Sequence, residues 1–155
     1  MSQRTEALLE IRRYLHAHPE LSGSEQRTAA LLSGELRKLG WRVQEGVGRT
    51  GLVAELGDSA EPVIGLRVDM DALPIEERTG LPFASTSPGL MHACGHDLHS
   101  SIGLGVAMAL AEHPPAKGCV RLLFQPAEET AEGARWMVEA GAVDGLSGLY
   151  GVHVF

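Results

Sequence analysis

Only two cysteines, Cys94 and Cys119, occur among the 155 residues, and they form no C-x-x-C pair. A disulfide framework is therefore not expected. No apolar run approaches the roughly 20 residues that a membrane-spanning helix needs, so no membrane partner is expected. The N-terminal stretch carries Glu6 and Glu10 among its apolar residues, unlike a secretory leader, and a cytoplasmic location is expected. Positive charge is also scarce: 13 Lys and Arg stand against 20 Asp and Glu, a formal net charge of −7. The basic residues, such as Arg12, Arg13, Arg37 and Lys38, are scattered rather than gathered in a stripe, which argues against nucleic acid as a partner. Internal repeats, low-complexity tracts and linkers are absent.

What is present suits one soluble globular domain, with 44% hydrophobic and 21% charged residues. Leu8, Ile11 and Leu15 share one face of a helix predicted over Arg4–His16. Ser22-Gly-Ser-Glu25 has the pattern of a capping box. It precedes a helical stripe of Ala29, Leu32, Leu36 and Leu39, with Gly40 placed to end that helix. The apolar period then shortens, and Trp41–Glu45, Leu52–Leu56 and Val63–Val68 read as strands. The stretch from Asp69 to Asp97 reads as a long irregular segment with apolar anchors at Leu73, Ile75, Leu81 and Phe83, hence a packed functional loop. Leu98–Glu112 is a predicted helix, rich in small residues and buried against a sheet. Cys119–Phe124 is a strongly apolar strand, Thr130–Ala140 a helix, and Gly148–Phe155 a last strand. Helices alternating with apolar strands predict an α/β layered fold with a buried, mostly parallel or mixed sheet.

Four places carry chemistry. Met91-His-Ala-Cys-Gly-His-Asp-Leu-His99 packs three His, one Cys and one Asp into nine residues where the loop meets a helix. Thiolate, imidazole and carboxylate are ligands of zinc and its neighbours, and Cys94-x-His96 in extended chain can bring both side chains to one ion. Gln125-Pro-Ala-Glu128-Glu129 sets two carboxylates at a strand's end, where they repel unless a cation or shared proton intervenes; a solvated acidic turn is the alternative. Asp69-Met-Asp71 follows another apolar strand and suits carboxylates that orient a ligand histidine, or an Asx-type turn. His153 lies between Val152 and Val154, as a core or edge histidine also would. Three of these lie at ends of separate apolar strands, where open α/β sheets bind ligands. Convergence of all four on one site is the expectation.

The stretches Gly65-Leu-Arg-Val-Asp-Met-Asp-Ala-Leu-Pro-Ile75, His92-Ala-Cys-Gly-His-Asp97 and Gln125-Pro-Ala-Glu-Glu129 resemble hippurate hydrolases, bacterial aminoacylases and auxin-conjugate hydrolases, amidohydrolases within a larger family of two-metal peptidases. Gly133-Ala134, Met137, Gly141 and Arg13-Tyr-Leu-His-Ala-His-Pro-Glu-Leu21 fit the same pattern. The resemblance implies metal ligands at Cys94, His96, Glu129 and His153, a catalytic base at Glu128 and a supporting Asp71. It assigns no ligand role to His92, Asp97 or His99, and Asp69 stands where many relatives have a ligand His. It further implies one or two divalent ions (zinc, manganese or nickel), a small N-acyl amino acid as substrate, and a three-layer catalytic domain of which residues 1–155 are the N-terminal portion. Members of that family continue through a small dimerisation domain and a stretch with a further ligand His, and would be homodimers or homotetramers. Rival expectations are a dipeptidase or N-acetyl-diaminopimelate deacetylase of the same larger family, an inactive metal-binding fragment, and a thiol enzyme using Cys94 with His96.

Overall fold

The computed structural model describes residues 3–58 and 62–154. Helix α1 (Gln3–Ala17) is followed by α2 (Gln26–Lys38). The stripe of α2 is buried as its spacing requires, with Leu32 and Leu36 fully enclosed. The helix ends in a Schellman turn: Gly40 takes φ +83°, its N–H reaches Arg37 O at 3.0 Å, and Trp41 N–H reaches Leu36 O at 3.1 Å. Trp41 and Leu36 then join the same core.

The start of α2 differs from the expected capping box. Neither Ser22 nor Glu25 caps it. Glu20 does so instead, its carboxylate accepting from Arg27 N at 3.2 Å and from Thr28 N and Oγ1 at 2.8 and 2.9 Å. A carboxylate beside the free N–H groups of a first turn is favoured by hydrogen bonding and by the helix dipole. Ser22 and Glu25 are thereby released to make tertiary contacts.

Strands β1 (Arg42–Val47), β2 (Gly51–Gly57), β3 (Val63–Asp69), β4 (Cys119–Gln125) and β5 (Gly148–Gly151) form one mixed sheet in the order β1-β2-β4-β3-β5. The pairs β1–β2 and β2–β4 are antiparallel; β3 runs parallel to both β4 and β5. Alternation in β4 feeds two cores. Leu122 and Phe124 face the helical layer of α1, α2 and α3 (His96–Glu112), together with Leu52, Ala54 and Leu104. Leu123 points the other way, to Val53 and to Met137 of α4 (Gly133–Glu139). The small residues of α3 let it sit close on the sheet: a Cβ at Gly103 would lie 3.1 Å from Val68 and 3.2 Å from the Phe124 ring. The molecule thus has three layers, as expected for the α/β class.

Of the boundaries that differ from expectation, three bear on the site, the first being α3, which begins at His96 rather than Leu98. Helix α4 begins at Gly133 rather than Thr130, because residues 126–132 form a tight turn with Ala127 and Ala131 at positive φ. The last strand stops at Gly151, so His153 lies beyond it, and Phe155 lies outside the described residues. The segment from 70 to 95 is irregular as predicted, pinned by a bridge between Leu73 and Met91 and by Thr86, whose N–H and Oγ1 both donate to Ala17 O. No described helix is long and apolar enough to cross a membrane.

Candidate metal centre

Because β3 and β4 are parallel and in register, Asp69 and Gln125 finish side by side. The chain leaving each strand therefore enters the same space: Asp71 from one, Glu128 and Glu129 from the other. Asp71, essentially buried, accepts from the amides of Glu128 and Glu129 at 3.0 Å each, from Ser22 Oγ at 2.6 Å, and faces His96 Nδ1 at 3.2 Å. Burial alone would raise its pKa. The hydrogen bonds from His96, Ser22 and the two amides outweigh burial and bring it down to about 2.

His96 opens α3 behind Gly95, whose φ of +84° turns the loop into the helix. With Nδ1 on the Asp71 carboxylate, its Nε2 looks into a ring of carboxylates: Glu128 Oε2 at 3.6 Å, Glu129 Oε1 at 3.7 Å and Asp69 Oδ1 at 3.7 Å. That Nε2 and Glu129 Oε1 are both buried without a hydrogen-bond partner among the described residues. Burial opposes protonation of the ring, but Asp71, Asp69 and Glu129 together raise its pKa. One ligand atom each from Cys94, His96 and Glu129 lie within 4.8 Å of one another. Burial and the charges of Glu129, Glu128 and Asp69 push the Cys94 thiol up to about 11. A buried imidazole nitrogen, an orphaned carboxylate oxygen and a thiol held neutral by surrounding negative charge all gain from a divalent cation between them. The donor set fits one.

Asp69, His96 and His99 form a second close group, in which Asp69 and His99 already satisfy each other. His99 Nδ1 lies 2.6 Å from Asp69 Oδ1, and its Nε2 accepts from Val154 N–H at 2.9 Å, which places the ring proton on Nδ1. Asp69 Oδ2 pairs with Arg67 at 2.7 Å. His153 is exposed and stands with its ring 5.0 Å from that of His99, outside both groups of potential ligands. It does share with Cys94 the wall of a cavity of about 440 Å³ that also takes in Arg12, His92 and Asp97. His92 is buried with both ring nitrogens unpartnered among the described residues, and burial takes its pKa down to about 4. Asp97 faces away from the cluster, toward His16 Nδ1 and Arg12 Nε at 2.8 Å each.

Of the residues singled out in the sequence, Asp71, Cys94, His96, Glu128 and Glu129 thus come together. His153 ends nearby without joining their ligand atoms. Sequence reasoning missed Ser22 and Glu25 as contributors to this region. Glu25, fully buried, accepts from Gly23 N at 2.9 Å, Thr50 Oγ1 at 2.5 Å and Ala127 N at 2.8 Å. An acidic residue in a turn gives no local sign of such a reach; the Ser-x-x-Glu pattern drew attention to these positions for a different reason.

Comparison with known proteins places the fold. Along 151 residues the chain is 56% identical to a Synechocystis sp. protein named "Probable hydrolase", covering 96% of this chain and 38% of that protein. It is 48% identical over 148 residues to N-acetyl-L-cysteine deacetylase of Bacillus subtilis, covering 94% of this chain and 36% of that one. The crystal structure of a dinuclear metal-binding peptidase from Bacillus subtilis superposes with a TM-score of 0.93 at 43% identity, over 99% of this chain and 44% of that one. The chain therefore spans less than half the length of each of these three proteins. The sequence pattern of peptidase family M20/M25/M40 matches residues 65–155, more than half of the chain. On its fold, its cluster of potential ligands and this match, the chain belongs to peptidase family M20/M25/M40.

Proposed function

We propose that the chain supplies the metal-binding part of an amidohydrolase that splits the amide bond of N-acyl amino acids. The observation that carries this reading is the buried, unpartnered Nε2 of His96 facing Cys94 and Glu129. The deacetylase among the relatives supports the substrate class. Cys94, His96 and Glu129 would hold a divalent ion, with His153, across the cavity it shares with Cys94, as a further ligand of this or a second ion. Zinc, manganese and nickel all suit this mixture of thiol, imidazole and carboxylate.

When bound, such an ion supplies Lewis acidity toward the scissile carbonyl and lowers the pKa of a water toward neutrality. Glu128 is the base. Its side chain is about one-third exposed and lies beside His96 Nε2, so it can take a proton from the attacking water and deliver it to the departing amine. Asp71 does not touch substrate; it fixes the His96 ring and both amides of the Glu pair. The thiol-enzyme alternative has less support, since a Cys94 pKa of about 11 leaves little thiolate to attack at neutral pH. The reading expects a small molecule as substrate and a cytoplasmic location, with homodimers or homotetramers expected of full-length relatives.

The test combines metal analysis of the purified protein with amine release from hippurate, N-acetyl amino acids, N-acetyl-diaminopimelate and dipeptides. Release from the acyl amino acids, abolished by chelation and by Glu128→Gln, is the expected result. Cleavage of dipeptides alone would move the substrate class. Bound metal without release from any amide would leave a metal-binding module.

A further inference from the structure

The Ser22-Gly-Ser-Glu25 turn does not cap α2, and the mechanism above does not use Glu25. Yet Glu25 is among the most enclosed side chains in the protein, a carboxylate that accepts hydrogen bonds from Gly23 N, Thr50 Oγ1 and Ala127 N, all neutral. Burying a charge is costly unless its hydrogen bonds are well used. The partner at Ala127 is the informative one. Ala127 is itself buried and sits at φ +49°, a left-handed conformation that alanine disfavours and glycine adopts freely. The next two amides, of Glu128 and Glu129, are those that bind Asp71. A relaxation of Ala127 out of that conformation would turn both amides, and the carboxylates that follow them, away from His96.

We infer that Glu25 is a positioning residue: its Oε1, accepting the Ala127 N–H, holds the strained turn that presents Glu128 and Glu129 to Asp71 and His96. This rests on the functional reading only for its consequence in metal binding, not for the hydrogen bond itself. The role depends on reach rather than on charge. Glu25→Asp keeps the charge and withdraws the acceptor by one methylene. Glu25→Gln loses the charge, but its amide oxygen can replace Oε1 and its NH2 can donate to the Thr50 hydroxyl.

Amide hydrogen exchange of the 155-residue chain, read by NMR, tests this without any metal. Glu25→Asp is expected to speed exchange at Ala127, Glu128 and Glu129 by about 10-fold or more, the size of a lost hydrogen bond to a charged acceptor. Leu32 and Leu36 in α2 should be unchanged. Glu25→Gln should stay within about 3-fold of the parent, less than the loss of one neutral hydrogen bond. Adding Ala127→Gly to Glu25→Asp should restore protection at Glu128 and Glu129, because glycine needs no restraint at that φ. Zinc affinity, by competition with a chromophoric chelator, should follow the same order. If Glu25→Asp instead speeds exchange uniformly through α2, or the added glycine restores nothing, Glu25 is only a structural buried acid and the inference fails. If Glu25→Gln speeds exchange as much as Glu25→Asp, reach alone does not account for the role, and the inference fails equally. Should the exchange results hold while the parent chain binds no zinc, the positioning role stands and the metal reading falls.

Discussion

Asp71 Oδ1 lies 3.2 Å from His96 Nδ1, and the same carboxylate receives the amides of Glu128 and Glu129. One side chain therefore sets the tautomer of the imidazole and the direction of both glutamates. Carboxylates behind a ligand histidine fix ring orientation, and their loss commonly reduces metal affinity by about 10–100-fold. Asp71→Asn should fall in that range. Asparagine keeps one carbonyl oxygen but brings an NH2 toward groups that are themselves donors. Zinc titration of the variant beside the parent chain measures it; unchanged affinity would remove Asp71 from the site.

The same pair gives the metal-free protein a defined pH response. Asp71 has a folded pKa of about 2 against an ordinary 3.8, so its contribution is present above 3.8 and is lost as pH falls toward 2. At 1.36 kcal/mol per pKa unit that contribution is about 2 kcal/mol. His96 is shifted upward, so what it adds is fully present below its ordinary 6.5 and disappears as pH rises through the folded value. Urea midpoints of the metal-free chain should therefore fall on acidification below pH 4 and fall again on the alkaline side of 6.5. His96→Gln should abolish the alkaline limb. A metal ion competes with the proton for His96, so zinc should bind more tightly across that alkaline range and offset the loss.

Cys94 offers a third test. With its thiol pushed from 9 up to about 11, the thiolate fraction at pH 8 is about 100-fold below that of an ordinary cysteine. Iodoacetamide labelling of the metal-free protein, located by peptide mass spectrometry, should be slower than that of an ordinary cysteine by about 10-fold or more, because the greater nucleophilicity of a high-pKa thiolate offsets part of its scarcity. Zinc binding at the same pH should release protons, measurable with a pH indicator in weak buffer. Rapid labelling of Cys94 would contradict the electrostatics described and revive nucleophilic thiol chemistry.

How far the sequence foretold this structure depends on the range of the interactions involved. The α2 stripe, the closing Gly40 and the apolar run of β4 are local patterns whose periods match helix and strand, and all three formed as expected. Cys94-x-His96 and Glu128-Glu129 were legible because their chemistry is dense over a few residues. Ser22 and Glu25 were misread because a capping box and a pair of tertiary contacts share one local pattern. Their actual partners, Asp71 and Ala127, lie 49 and 102 residues away. His153 was placed in a strand by its apolar neighbours, but β5 ends at Gly151, where the parallel pairing with β3 ends at Arg67. How far the pairing with a partner strand extends, which decided this, is a tertiary matter that the apolar neighbours of His153 do not report.

Gly133 supplies the sharpest steric prediction. Its N–H reaches Ala127 O at 3.1 Å, which lays the first turn of α4 directly against the Pro126–Ala127 peptide. A Cβ at 133 would stand 1.5 Å from Pro126 O and 2.6 Å from the carbon that bears it. Both are backbone atoms, so no side-chain rotation can make room. Gly133→Ala must either lift α4 from the turn or push the turn that carries Glu128 and Glu129, and a cost of about 3 kcal/mol is expected for an insertion of this kind. Gly34→Ala is the contrasting case: it lies inside α2 with nothing within 4 Å of the added methyl, and alanine there should stabilise by about 1 kcal/mol. Urea unfolding of the two variants should therefore move the midpoint in opposite directions, and zinc affinity should drop in Gly133→Ala alone. A Gly133→Ala protein as stable as its parent would mean that α4 does not rest on this turn, and the account of how the glutamates are held would have to be abandoned.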